Sequence, residues 1–457
     1  MSYEMLNEDL VEWVVNEALK LGADEAECYG HYSKQYNVNI MAGEVKQPSF
    51  QEDAGLGIRV IVNKRLGFAA TNVFEREKIR EAIKRALSIA RASQENPKWR
   101  SLPEASKYES VRGIIDTRIR DIDPGEVLEI TSNLLNNITS LDKRVIPVWG
   151  GVFAGYNKAL IANSNNVRGE KEGTIIGGSL GTIARDGNVT TPVHSEVVMS
   201  RTKEINFDGL ALKLVEKTVK SLTITKIETG DYPVIFDPEA LFMLSIVTII
   251  RAISADFVQM GRSPYTNKIG EVVASQEITL IDDGTLPGGI GSTPFDDEGC
   301  PTKRTVIIER GVLKRFLYDN YRAKIEDKES TGNGFRGGGG AQPKYLFTPS
   351  ISPTNIIIEP GKESLETIVS EIEKGVMILG IQGAHASNPE TGEVSAVATP
   401  AWVIEKGEIK GLAPGIMINM NIYEALRDVK AISKEVRQVY NFITPWIQIE
   451  KAKIISK

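Results

Sequence analysis

Carboxylates are the residues of this chain most densely placed for chemistry. Asp282 and Asp283 ahead of Gly284, with Asp296, Asp297 and Glu298 ahead of Gly299, put five of them within 17 positions. Such a group could move protons or hold a hard cation. Asp before Gly is also a turn signature, because its side chain accepts from nearby backbone amides, and turns are the simpler reading. The better functional candidate of the two is the stretch from Phe295 to Cys300. Gly332-Asn333-Gly334-Phe335-Arg336-Gly337 matches G-x-G-x-x-G. A dinucleotide loop must open a helix that faces the pyrophosphate, whereas further glycines and Pro343 follow here, so the pattern reads as a glycine loop suited to lining a cavity. His31, His194 and His385 lie far apart, with no pair on adjacent helical turns, and surface or core roles are the simpler expectation for them. Arg251 closes an apolar run from Ala240 to Ile250 and must find a carboxylate or reach outward to water.

The chain as a whole narrows the function classes. Its 457 residues suffice for two or three domains with substantial cores. Lys plus Arg (54) against Asp plus Glu (60) gives a net charge of −6, which does not favour a nucleic-acid-binding surface. Cys28 and Cys300 cannot build a disulfide framework or a Cys-rich zinc cluster, and Cys300 reads as an inert thiol. The acidic start is unlike an export leader, and the run from Ala240 to Ile250 is about half the roughly 20 residues that cross a bilayer. A cytoplasmic chain without membrane contact is the expectation.

The elements that must position these residues follow from periodicity and turn chemistry. A helix capped by Asn7 and stopped by Gly22, a hairpin around Asn63 to Arg65 and a helix from Glu75 with its stripe at Ile79, Ile83, Leu87 and Ala90 open the chain. Asp123-Pro124 starts a helix reaching Leu141. Strands then run from Val145 to Met199 with turns at 163–166, 171–173 and 186–188, and a helix from Asp208 to about Thr223 follows. A strand from Pro233 to Phe236 leads into one continuous helix from Asp237 to Met260, with Ile246, Ile249, Ile250 and Ile253 on its interior. Two similar segments, 307–314 and 403–410, read as hairpins with glycine in the left-handed turn position. The expected class is α+β in two domains: residues 1–228, helices layered on an antiparallel sheet, and residues 229–457, rich in strands and barrel-like or sandwich-like.

In their order and spacing, several motifs resemble the TldD/PmbA family over the whole length. They are Gly22 to Glu27, Gly43-Glu44-Val45, Leu56 to Val60 with Gly67, Ile269-Gly270-Glu271, Ser292 to Gly299, Ser330 to Asn333 and Thr391-Gly392-Glu393. The resemblance implies an intracellular zinc metalloprotease of two subunit types. One type carries H-E-x-x-x-H ahead of the segment matching Gly261 to Glu271, and a cysteine ligand near its C-terminus. In this chain those positions hold Ile246, Val247 and Arg251, and no cysteine lies beyond Cys300. Isoleucine has no lone pair, arginine stays protonated and valine cannot be a base, so zinc-water chemistry is not expected here. The chain resembles the PmbA or TldE type. No cofactor is expected in it, and zinc is expected in the partner subunit.

The resemblance implies a heterodimer with that zinc-bearing subunit acting on short or unfolded peptides. A homodimeric peptide-binding modulator, of the kind once described as modulators of DNA gyrase, is the alternative, without direct nucleic-acid contact. Catalysis by Asp296, Asp297 and Glu298 with another metal is a third possibility. Candidates for lining the shared cavity are Arg251, Asp256, these three carboxylates, and the loop from Thr331 to Gly340 with Thr331, Gly332, Asn333 and Arg336.

Overall fold

A computed structural model describes residues 6–337 and 342–456. Gly338, Gly339 and Gly340, the end of the candidate loop, lie outside the described residues.

Two large sheets organise the chain. The first draws on residues 25–200 and orders its strands Arg65–Thr71, Ser49–Val62, Glu25–Met41, Val145–Asn163, Arg168–Asp186 and Val189–Thr190, with every pairing antiparallel. Glu44–Val45 and His194–Ser200 pair off this path. Helices cover one face because their apolar stripes match it. Glu8–Lys20, its first turn capped by Asn7, and Arg76–Ala92, buried at Ile79, Ile83, Leu87 and Ala90, pack against one end. Pro124–Leu141 and Phe207–Lys220 pack against the other. Contact is close at Gly67, where a Cβ would stand 2.0 Å from the Ala86 carbonyl oxygen. Any larger residue there would push the helix off the sheet.

The second sheet has 13 strands from residues 230–455. Its longest strand, Phe442–Ile455, pairs with Gly230–Phe236, Ile416–Asn421 and Val429–Val439, and in parallel with Ile356–Ile358. The terminal strands of the main path, Val312–Leu313 and Glu408–Leu412, do not pair with each other among the described residues, so no barrel closes. Both hairpins expected from the repeated segments are present. Their turns have positive φ at Arg310 and Gly311 and at Lys406 and Gly407.

Three sequence expectations are corrected. The helix expected from Asp237 to Met260 is three short pieces, Pro238–Ser245, Ile249–Ala252 and Ala255–Gln259. The break follows a run of β-branched residues, Ile246 to Ile250, whose side chains crowd the preceding turn. Ile246 is 42% exposed at this break and is not interior. No turn forms at 171–173, because Arg168–Asp186 runs straight through it as a strand.

Candidate functional site

The uncovered face of the first sheet turns toward the second half of the chain, and a cavity of about 1340 Å³ lies between them. Alternation along Glu25–Met41 explains its lining. Ala26, Cys28, Tyr32, Val38 and Ile40 point to the helices and join the cores. On the opposite face His31, Ser33, Gln35, Asn37 and Asn39 line the cavity. Gln35 Nε2 donates to Asn37 Oδ1 at 2.6 Å, as neighbours on one face would. Ser49, Gln51 and Asp53 extend this wall from the next strand, and Asn157 from the strand on the other side. From the second half come the loop 290–293, Phe335, Arg336 and Lys344.

Toward its start the same strand face is sealed by a buried charge network. Glu27 accepts from Arg59 Nη2 at 2.6 Å and from Arg336 Nη2. Arg59 also donates to Glu298 Oε1 at 3.1 Å, and the other oxygen of Glu298 accepts from the Asn320 amide at 2.8 Å. Asp297 accepts from Lys171 Nζ at 2.8 Å, Tyr29 Oη at 3.1 Å, the Arg336 amide at 2.9 Å and Lys344 Nζ at 3.3 Å. Although burial alone would raise the Asp297 carboxyl, the two lysines and the Arg336 amide hold it well below the usual range. Asp296 is pushed up by burial and the neighbouring Glu298, while accepting from the amides of Glu298, Cys300 and Gly334. Asp296 is therefore a turn residue, as Asp-before-Gly chemistry leads one to expect. Asp297 and Glu298 are instead cross-links between the two halves.

The other candidates separate into two groups. Thr331 donates to Asn333, whose amide donates to Asp282 at 2.8 Å, so these residues fold the glycine loop onto the second sheet. Gly332 has φ +75, and a Cβ there would stand 2.3 Å from the Pro301 carbonyl oxygen. The Asp282 carboxyl is raised to about 7 by burial. Arg336 joins the network and lines the cavity. Arg251, which is exposed, and Asp256, half-buried, do not line it. The motif-derived candidates missed the polar wall. Its signal is the alternation of polar residues at 31, 33, 35, 37 and 39, legible as a strand face with nothing apolar to bury.

Histidine is also placed in the cavity wall. His31 is 6% exposed, and burial, reinforced by Lys344, drives its pKa down to about 3. Its Nδ1 has no hydrogen-bond partner among the described residues. His194 is buried in a smaller pocket lined also by Glu239 and Lys217, and His385 is exposed. No group of three His, Cys, Asp or Glu among the described residues could hold a metal ion. At the break after Ser245, Ile246, Val247 and Arg251 offer no lone pair to one, so the donor set does not fit zinc.

Fold and site together define an α+β protein of two sheets that clamp a large polar cavity between them. Matches to three family models cover residues 26–90 (PmbA/TldA metallopeptidase domain 1), 117–222 (PmbA/TldA metallopeptidase central domain) and 229–456 (PmbA/TldA metallopeptidase C-terminal domain). An uncharacterised protein of Methanocaldococcus jannaschii is 32% identical over 96% of this chain and 99% of its own length. A metalloprotease of the same organism is 27% identical over 94% of this chain and 93% of its own length. The crystal structure of TldE from Thermococcus kodakarensis superposes with a TM-score of 0.89 at 32% identity, covering 98% of this chain and 100% of that one. The chain belongs to the PmbA/TldD metallopeptidase family.

Proposed function

We propose that this chain is the zinc-free, TldE-like half of a two-subunit cytoplasmic peptidase. A zinc-bearing homologue supplies the metal and the general base, and this chain supplies a wall of the chamber that receives short or unfolded peptides. The observation that carries the reading is the combination of family membership with Ile246, Val247 and Arg251 at the positions matching the zinc motif. The match to TldE supports the subunit type. The wall of amides and hydroxyls supports the substrate class, since such groups satisfy a peptide backbone without selecting side chains.

Asp297 and Glu298 are poor alternatives as catalytic groups. Asp297 accepts from Tyr29 and Lys171 across the junction and Glu298 from Arg59 across it, and both are buried and do not line the cavity, whereas a general base must lie within reach of its proton.

The test is hydrolysis of an unstructured peptide by the purified chain alone, by a zinc-motif homologue alone, and by their mixture, each with and without chelator. Activity that requires the mixture and disappears with chelator is expected. Hydrolysis by this chain alone would overturn the assignment, as would a homologue whose rate is unchanged when this chain is added. Sedimentation of the mixture separates a one-to-one complex from a homodimer.

A further inference from the structure

Among the described residues four cations line the cavity, and three of them are matched by carboxylates. Lys171 and Lys344 reach Asp297, and Arg336 reaches Glu27. Arg201 is different. Its Nη2 donates to the carbonyls of Ile290 and Ser292, its Nε to Gly289 at 3.3 Å, and its Nη1 to Thr174 at 3.2 Å. A guanidinium has five N–H groups, so one N–H of Nη1 has no acceptor among the described residues. No carboxylate among the described residues pairs with the group, and burial lowers its pKa to about 10. A positive charge set into a cavity wall without a counter-ion is costly unless an anion arrives to pair with it.

The surroundings of Nη1 are shaped for such a visitor. Gly173 stands beside it in the interior of a strand, where a Cβ would lie 2.8 Å from Nη1. Any side chain there would cover the nitrogen, and the glycine keeps it open. Gly173 pairs across the sheet with Asn157, Asn157 with Ser33, and Ser33 with Asp53. A row of neutral hydrogen-bonding groups therefore crosses the strands, with the guanidinium at one end and a carboxylate at the other. With strands about 4.8 Å apart, the row from Asp53 to Gly173 spans roughly 14 Å, the length of about four extended residues. Asp53 repels an anion and Arg201 attracts one, which gives the row a direction.

We propose that Arg201 receives a carboxylate of an extended peptide lying across this row, through the one open N–H of Nη1 and the charge of the guanidinium. This deepens the peptide-chamber reading and rests on it. The carboxylate could be the peptide's C-terminus or an acidic side chain, since both offer the same planar pair of oxygens.

Binding to the purified full chain, without any partner, keeps this test separate from hydrolysis. The probes are a neutral seven-residue peptide labelled at its N-terminus, in free-acid form, in amidated form, and amidated with one internal Asp. Fluorescence anisotropy should give about tenfold tighter binding for a carboxylate-bearing probe than for the neutral amide, a difference of about 1.4 kcal/mol. Preference for the free acid assigns the main-chain terminus, and preference for the Asp peptide assigns a side chain.

Arg201→Gln should bring the three probes to one affinity. Because Arg201 also ties down the loop 289–292, Asn157→Asp is the second variant. It places a competing carboxylate beside Nη1 and leaves the loop contacts in place, with the same levelling expected. Equal binding of all probes by the unaltered chain, binding of none of them, or a carboxylate preference that survives both substitutions would each overturn the proposal. If the preference holds while the mixed-subunit hydrolysis fails, the peptidase reading falls and the carboxylate site stands.

Discussion

One face of the strand Glu25–Met41 passes through two environments that treat polar residues in opposite ways. Glu27 and Tyr29 lie under the second half of the chain, where Glu27 is matched across the junction by Arg336, Arg59 by Glu298 and Lys171 by Asp297. His31 is buried at the boundary, and from Ser33 to Asn39 the same face opens on the cavity with half-buried or exposed polar groups. Burial separates the two. A charge removed from water must be paired, so the covered segment became a cross-link between the halves. The open segment kept neutral amides and hydroxyls, which lose little when they exchange water for a ligand.

The largest effect expected from this contrast is at Glu27. Glu27→Ala leaves Arg336 without its carboxylate side-chain partner and Arg59 with Glu298 alone, and breaking a buried pair of this kind costs about 3–5 kcal/mol. Urea unfolding measures it. A loss below about 1 kcal/mol would mean that the network does not hold the halves together.

Acid should sharpen the boundary between the two environments at His31. Its folded pKa of about 3 lies below the unfolded value of about 6.5, so the stability tied to its neutral form is fully present above that value. That stability is lost as pH falls from about 6.5 toward 3. Lys344 and Lys171 reinforce the depression, and Asp297 opposes it. In His31→Asn the unfolding midpoint should fall less steeply over this range than in the unaltered chain. Part of the slope should remain, because His194 is also lowered to about 3 by burial. An identical slope in both proteins would place His31 in free exchange with solvent.

The smallest effect is expected on the open wall. Asn37→Ala and Gln35→Ala remove half-buried side chains whose visible partners are each other, and should change stability by no more than about 0.5 kcal/mol. A loss comparable to that of Glu27→Ala would erase the distinction between the two segments.

Particular elements show how much of this was legible. Asn7, Asp123-Pro124 and the Gly311 and Gly407 turns were readable because capping and left-handed turns depend on adjacent residues. The helix expected between Asp237 and Met260 is broken because its apolar run is also a β-branched one from Ile246 to Ile250, and apolar content alone does not show the break. Asp297 and Glu298 looked like turn residues since their partners, Lys171 and Arg59, stand more than a hundred positions away. The carboxylate motif drew attention to the sealed network, while the cavity wall carried no motif at all.

By itself, the sequence determined the α+β class, the capped helices, the two hairpins, the family and the absence of a zinc-ligating side chain at Ile246, Val247 and Arg251. Each of these rests on residue type and on neighbours along the chain. Only the tertiary structure decided that Glu27, Arg59, Asp297, Glu298 and Arg336 are one network, and that Arg201 faces the cavity without a carboxylate. Pairing of charges depends on distance through space, and burial changes what each charge costs. Neither quantity is written in local sequence.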